Sequence, residues 1–369
     1  MSASASPRSL EVFLGFNFYG AGNIGDDLMV AGFMEGLLKP GRYAFKCCLA
    51  QDRVASQKRR FPSINWRSAA TEERNAEIQR AQLWLGVGGT PFQAAGGKWL
   101  LKSILRDYEA NPDVPKWMFG IGCEAEVVQE RELAQAVVQQ TQRIWTRDEA
   151  SRSVLVDELG ADPENVLVAG DLAHIALKRV FGDGPERHDT AGRVGLVVYG
   201  DRTAPLDMAA IRRFANWLRA EHDVVFLAND VRTTRAMEKG LYQRTFGGVR
   251  GIFRWKPGWY APEYHTADIP GLVRHFASFE TVMSSRYHAL VAAAWAGCRV
   301  VAISRSSKIA FLADEFGIPL VSKDFDEDAL RHGFSKAQPV DRSKLFACER
   351  AARGAMSDLE SAMEALVRI

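Results

Sequence analysis

Short runs rich in Val, Ile and Phe alternate with longer stretches of helical periodicity along most of the chain, which is the pattern of parallel βαβ units. In the first half this spacing predicts strands at 11–18, 44–50, 82–87, 116–121, 143–146 and 166–169. One helix opens at Asp26 and places Val30, Phe33, Met34 and Leu37 on one face. Another follows Asp148 and stops at Gly160. The polar, Gly-rich stretch 181–192 has no periodicity and reads as a linker. Beyond it come a strand at 193–199, a helix at 207–221, strands at 224–228 and 279–284, a helix at 287–296 and a strand at 299–304. The expected architecture is two Rossmann-like α/β domains, 10–182 and 191–338. A C-terminal helix, 339–369, carries Met356, Leu359, Met363 and Leu366 on one stripe and is expected to pack back on a domain face.

Composition excludes several classes of function. A chain of 369 residues, 47% of them hydrophobic, is long enough for two ordinary cores. Its 47 Lys and Arg against 45 Asp and Glu leave a formal charge of only +2, so bulk electrostatics names no nucleic-acid partner. The five cysteines, Cys47, Cys48, Cys123, Cys298 and Cys348, lack CxxC spacing and mostly sit in apolar runs. They read as buried thiols of a reducing compartment, with no disulfide framework and no metal site. The N-terminal MSASASPRSL has no apolar signal core, and no long uncharged apolar run follows. A cytoplasmic protein is expected.

Ligands of open parallel sheets bind beyond the carboxyl ends of the strands, so with two such sheets the cleft between them is the expected site. The first strand-to-helix turn is Gly20-Ala21-Gly22-Asn23-Ile24-Gly25-Asp26-Asp27. Its glycines allow close backbone approach, but Asp52 lies too far along to complete a dinucleotide fingerprint, and two aspartates would repel a pyrophosphate. Asn23 suits a left-handed turn position, and Asp26 or Asp27 reads as a helix cap. Equally, Asn23, Asp26 and Asp27 are suited to bind the hydroxyls of a sugar-like ligand. The turn at Gly88 and Gly89 again strips side chains from a strand end, and reads either as a backbone approach or as a tight turn. Arg147 and Asp148, followed by Ser151, read either as site residues or as a local ion pair with Asp148 capping the next helix. Asp171 follows a strand where no helix is evident for it to cap, which favours a functional role.

The strongest constellation is Ser284-Ser285-Arg286-Tyr287-His288, between a strand and the helix YHALVAAAWA. Ser285 is placed as the N-cap, which puts Arg286 and His288 in the first helical turn. Cations there oppose the helix dipole, so their presence implies an anion among them. One unit further on, Ser304-Arg305-Ser306-Ser307-Lys308 repeats hydroxyls and cations at a helix start. Lys308 reads as a second charge on the same anion or as a surface lysine.

Taken in order, Asn23 to Asp27, Gly88-Gly89, Arg147-Asp148 with Ser151, Asp171, and Ser285-Arg286-Tyr287-His288 with Lys308 resemble the polysaccharide pyruvyl transferases, over roughly residues 15–320. The resemblance implies a glycosyltransferase-B-like fold, phosphoenolpyruvate as donor substrate, no metal or other cofactor, and ketal formation across two hydroxyls of a sugar, oligosaccharide or lipid-linked glycan. A lipid-linked acceptor would bring the chain to the inner membrane surface. Arg286 and His288 match the family's Arg-Leu-His element, with Tyr287 in place of Leu. His288 is then the acid, Arg286 the electrostatic clamp, and Asp26 or Asp171 the base. The substrate-binding set is Asn23, Gly25, Asp27, Gly88, Gly89, Arg147, Asp171, Ser285 and Lys308. Trp255, Trp259, Tyr260 and Tyr264, in the aromatic segment 250–266, read as loop or core packing, or as stacking platforms for sugar. Two other readings stand beside this one: a nucleotide-sugar glycosyltransferase and a non-catalytic binding protein, both on the same fold.

Overall fold

A computed structural model describes residues 9–68, 70–94, 97–184, 190–200, 205–231, 238–246 and 257–367. The strands with unbroken apolar runs form the middle of the sheets, because a parallel strand covered by helices on both faces has no solvent side. The first sheet runs β3 (Asn65–Ser68), β2 (Tyr43–Leu49), β1 (Leu10–Leu14), β4 (Leu83–Val87), β5 (Lys116–Ile121), β6 (Arg143–Thr146), β7 (Val166–Val168), all parallel. Every residue of β4 and β5 is buried, whereas the edge strands β3 and β7 are partly exposed. The second sheet runs β10 (Gly258–Tyr260), β9 (Asp223–Leu227), β8 (Arg193–Val197), β11 (Thr281–Ser284), β12 (Arg299–Ile303), β13 (Leu320–Val321), with β14 (Gln338–Pro339) antiparallel to β12.

Among the described residues, seven α-helices accompany the first sheet: α1 (Ile24–Gly36), α2 (Gln51–Arg60), α3 (Thr71–Arg80), α4 (Gly97–Ala110), α5 (Arg131–Gln140), α6 (Glu149–Ser153) and α7 (Ala173–Phe181). Seven follow: α8 (Met208–Leu218), α9 (Glu238–Phe246), α10 (Ile269–Val273), α11 (Tyr287–Trp295), α12 (Ser307–Phe316), α13 (Glu327–Ser335) and α14 (Arg342–Val367). The chain packs as two compact units. One comprises Met1–Gly20, Met29–Ile175 and Glu349–Ile369, the other Ala21–Leu28 and Ala176–Cys348. In the first, Phe13, Trp84, Leu85 and Phe119 are fully buried, and the far part of α14 adds Met356, Leu359 and Met363 to that core. Glu360 on α14 accepts from the Leu38 and Lys39 amides at 2.8 and 2.9 Å, beyond the last turn of α1. In the second unit Leu196, Phe214, Phe226, Met283 and Ile303 lie in one cluster.

The sequence expectations need correction at element ends and sheet edges. The first strand stops at Leu14, not at residue 18, because Gly15 lies against Trp84, where an added Cβ would fall 1.9 Å from the indole. Phe16, Phe18 and Tyr19 form an aromatic cluster instead. β3, β10, β13 and β14 escape the sequence reading because two- to four-residue edge strands such as NWRS and GWY carry no usable period. α1 opens at Ile24, two residues before Asp26. None of the five cysteines is in a disulfide, and Cys348, unlike the other four, is only half-buried. Among the described residues no helix is long and apolar enough to cross a membrane, and no cluster of three or more His, Cys, Asp or Glu is placed to hold a metal.

Candidate functional site

The second unit gathers its polar residues where β8, β9, β11 and β12 end. Ser284 accepts from the Arg286 amide with its hydroxyl at 2.8 Å. The Ser285 hydroxyl accepts from the Tyr199 amide at 2.8 Å and donates to the Tyr199 carbonyl at 3.0 Å. Ser285 is therefore not the N-cap of α11. That position belongs to Arg286, with φ −110° and ψ 127°, and the serine instead ties two neighbouring strand ends together.

The Arg286 guanidinium lies 3.8 Å from the Tyr199 ring centroid. Its Nε donates to Glu238 Oε1 at 2.7 Å and its Nη2 to Asp230 Oδ2 at 3.2 Å. The side chains of Asp230 and Glu238 are 0% and 1% exposed. This corrects the inference drawn from the helix dipole: the negative charge facing the cation at the start of α11 comes from two carboxylates of the same chain. Burial by itself would lower the guanidinium, but Glu238 and then Asp230 outweigh it and hold Arg286 above its ordinary value. Glu238 is raised, first by burial and then by the neighbouring Asp230 charge, with Arg286 only partly offsetting them.

The turn before α1 docks on the same strand ends. Ile24 N donates to Asn229 O at 3.0 Å, Val231 N to Gly22 O at 2.9 Å, and Asn23 pairs with Asp230 as an isolated antiparallel bridge. The left-handed conformation expected at Asn23 is carried by Gly20 and Gly22, at φ +69° and +110°, and no described residue other than glycine has a positive φ. Asn23 Oδ1 accepts from the Gly25 amide at 3.3 Å. Gly25 is packed so closely on His288 that an added Cβ would lie 2.2 Å from Nδ1. Asp26 is half-buried in the first turn of α1. Asp27 is fully buried and accepts from the hydroxyl of Tyr264, itself buried, so that aromatic is a packing residue.

Tyr287 is buried, as befits a residue between two site positions. Lys308 is half-buried in the first turn of α12. Arg305, three residues earlier, lies 4.5 Å from the centroid of the same Tyr199 ring, so one ring meets two guanidiniums. Tyr199, Asp230 and Glu238 were missed in the sequence, and Arg305 was noted only as part of the helix start that carries Lys308. Position at a strand's carboxyl end would have flagged Tyr199 and Asp230, but nothing local marks Glu238. Trp255 lies outside the described residues. Trp259 packs on Tyr242 with centroids 5.1 Å apart, and Tyr260 is 38% exposed.

The remaining expected site residues belong to the first unit, where each makes local contacts. Gly88 and Gly89, at φ +63° and +76°, are enclosed by Met29 and Phe18. Arg147 pairs with Asp148 at 3.0 Å and reaches Thr90 Oγ1 at 3.5 Å. Asp148 caps α6 through the Ser151 amide at 2.6 Å. Asp171 does have a helix to serve: its Oδ1 accepts from Ala173 N at 2.8 Å, at the first residue of α7. The argument that singled it out for function therefore fails.

The second-unit cluster thus holds a clamped guanidinium, an imidazole in the first turn of α11, a second guanidinium, and the acids Asp230, Glu238, Asp26 and Asp27. Such a set can bind an anion and move a proton.

The sequence matches the family model for Polysaccharide pyruvyl transferase over residues 23–307. No curated protein matches it. Among solved structures it resembles UDP-GlcNAc 2-epimerase from Neisseria meningitidis, at 13% identity and TM-score 0.66, covering 96% of this chain and 100% of that one. The UDP-N-acetylglucosamine 2-epimerase of Rickettsia bellii gives 10% identity and TM-score 0.63, covering 98% and 99%. The UDP-GlcNAc 2-epimerase of Methanocaldococcus jannaschii gives 10% and 0.61, covering 96% and 99%. At such identities the likeness establishes the fold, which is glycosyltransferase-B-like, with two mostly parallel α/β sheets.

Proposed function

The chain belongs to the polysaccharide pyruvyl transferase family, and from that premise we propose that it transfers the pyruvyl group of phosphoenolpyruvate to two hydroxyls of a sugar, forming a ketal. The observation that carries this reading is the meeting, within the second unit, of the Asn23–Asp27 turn with Arg286 and His288. The donor bears a carboxylate and a phosphate, and Arg286, with Arg305 or Lys308, supplies the cations for them. The methylene carbon of the donor must gain a proton, one sugar hydroxyl then attacks the cationic centre at the neighbouring carbon and loses its proton, phosphate leaves, and a second hydroxyl closes the ketal. His288 is suited to deliver the proton, Arg286 to bind the developing charge, and Asp26 to take the hydroxyl proton. No metal or other cofactor is needed for these steps.

The acceptor is a sugar or glycan of a cell-surface or exported polysaccharide, made in the cytoplasm; a lipid-linked acceptor would place the enzyme at the inner membrane surface. Incubation of candidate glycans with phosphoenolpyruvate, read by mass spectrometry and phosphate release, tests the proposal. A gain of about 70 Da per ketal supports it, by atom counting on the chemistry above. Transfer from UDP-sugars with none from phosphoenolpyruvate would replace it by the glycosyltransferase reading.

A further inference from the structure

Arg286 faces two buried carboxylates, and they are held differently. Asp230 is fully buried, and its backbone is fixed by the bridge to Asn23 and by the Val231–Gly22 hydrogen bond beside it. Glu238 is the first residue of α9, and its side chain bonds Arg286 through Oε1. Its Oε2 is buried without a hydrogen-bond partner among the described residues. A carboxylate oxygen in that position is a cost the fold carries, unless it is protonated in some state of the protein. Asn229 Oδ1, next to Asp230, is likewise buried and unbonded among the described residues.

An anionic ligand on Arg286 would stand as a third negative group around one guanidinium. Asp230 and Glu238 are both buried, so the arrangement is repulsive unless one negative charge is removed. We propose that Glu238 is a positioning residue for Arg286 that releases its share of the guanidinium to the bound anion by taking up one proton from solvent, while Asp230 remains the fixed counter-ion. This rests on the reading of Arg286 as the donor's anchor.

The charged groups around Glu238 are compatible with that exchange. Arg286 and Asp230 act on it directly, and burial with Asp230 already raises it. Lys239 and Arg244 on α9 are exposed, as are Arg212, Arg213 and Arg219 on or just after the neighbouring α8. Arg305 lies on the Tyr199 ring that Arg286 also covers.

Calorimetric titration of the full chain with phosphoenolpyruvate, in two buffers of different ionisation enthalpy, counts the protons taken up. The wild type is expected to take up about one proton more per ligand bound than E238Q, and the slope of log Kd against pH to flatten by about one in the variant. The donor's own phosphate ionisation is common to both proteins and cancels in the difference. Sulfate, which does not titrate near neutrality, is the second probe and tests Glu238 independently of the donor. Equal proton uptake in wild type and E238Q, with both binding, overturns the role of Glu238 and leaves the donor reading intact. Sulfate-linked uptake at Glu238 with no phosphoenolpyruvate binding overturns the donor and leaves this role standing. Binding of neither anion sinks both. If E238Q fails to fold, D230N replaces it: with one negative charge fewer, uptake on binding should fall, and unchanged uptake overturns the proposal.

Discussion

Each unit sets an arginine against buried carboxylate, Arg74 in the first and Arg286 in the second, and these two sites are built to opposite specifications. In the first unit Arg74 forms a two-point pair with Asp107 and donates to Gly15 O at 2.6 Å and Cys48 O at 3.3 Å, while Trp84 Nε1 donates to the same aspartate at 3.0 Å. Charge is matched one to one, and neither side chain has an orphaned atom. In the second unit Arg286 faces two acids, and one carboxylate oxygen is left unbonded among the described residues. A closed pair fixes a fold, since any change exposes an uncompensated charge. An unbalanced one has charge to trade, which is what binding and proton transfer require.

The comparison can be broken most forcefully at Asp107. Replacing it by Ala leaves the buried Arg74 without its counter-ion, and a loss of about 3–5 kcal/mol in denaturant unfolding is expected. Arg286→Ala is expected to lower kcat/KM with phosphoenolpyruvate about 10²–10³-fold. Glu238→Gln removes the surplus charge and leaves Arg286 on Asp230, so its unfolding midpoint should move less than that of Asp107→Ala. If Glu238→Gln and Asp107→Ala lose equal stability, the contrast between the sites fails. Gly25→Ala would drive a methyl into the His288 ring, and displacement of that imidazole is expected to lower kcat by about 10²-fold with intact circular dichroism.

Acid should find the second unit before the first. Both ring nitrogens of His275 are buried without partners among the described residues, and burial, reinforced by Arg193, pushes the imidazole down to about 3. A base lowered in the folded state stabilises it at pH above the unfolded value of about 6.5, and that stability drains away as pH falls toward the folded value. The expected loss is about 2 kcal/mol at pH 5, measured by unfolding across that range and relieved in His275→Phe. The smallest effect belongs to Asp171→Ala, about 1 kcal/mol from the lost α7 cap with kcat unchanged. A large drop in turnover without that loss would return Asp171 to the functional set.

The alternation of apolar runs and helical stretches was enough to read two parallel α/β sheets, because central strands buried on both faces must be apolar throughout. The turn 284–288 was legible for the same kind of reason: two basic residues at a helix start contradict the dipole, and a contradiction of that sort is visible without coordinates. What answers those charges was not. Asp230 and Glu238 reach Arg286 from elements 56 and 48 residues away, and no local pattern encodes which acid a folded chain will bring to a given cation. The same holds for Gly25, whose sequence context suggests a turn but whose lack of a side chain matters because His288 occupies the space. Periodicity determines elements through local burial. Partnership is decided only when parallel strands, distant along the chain, end side by side.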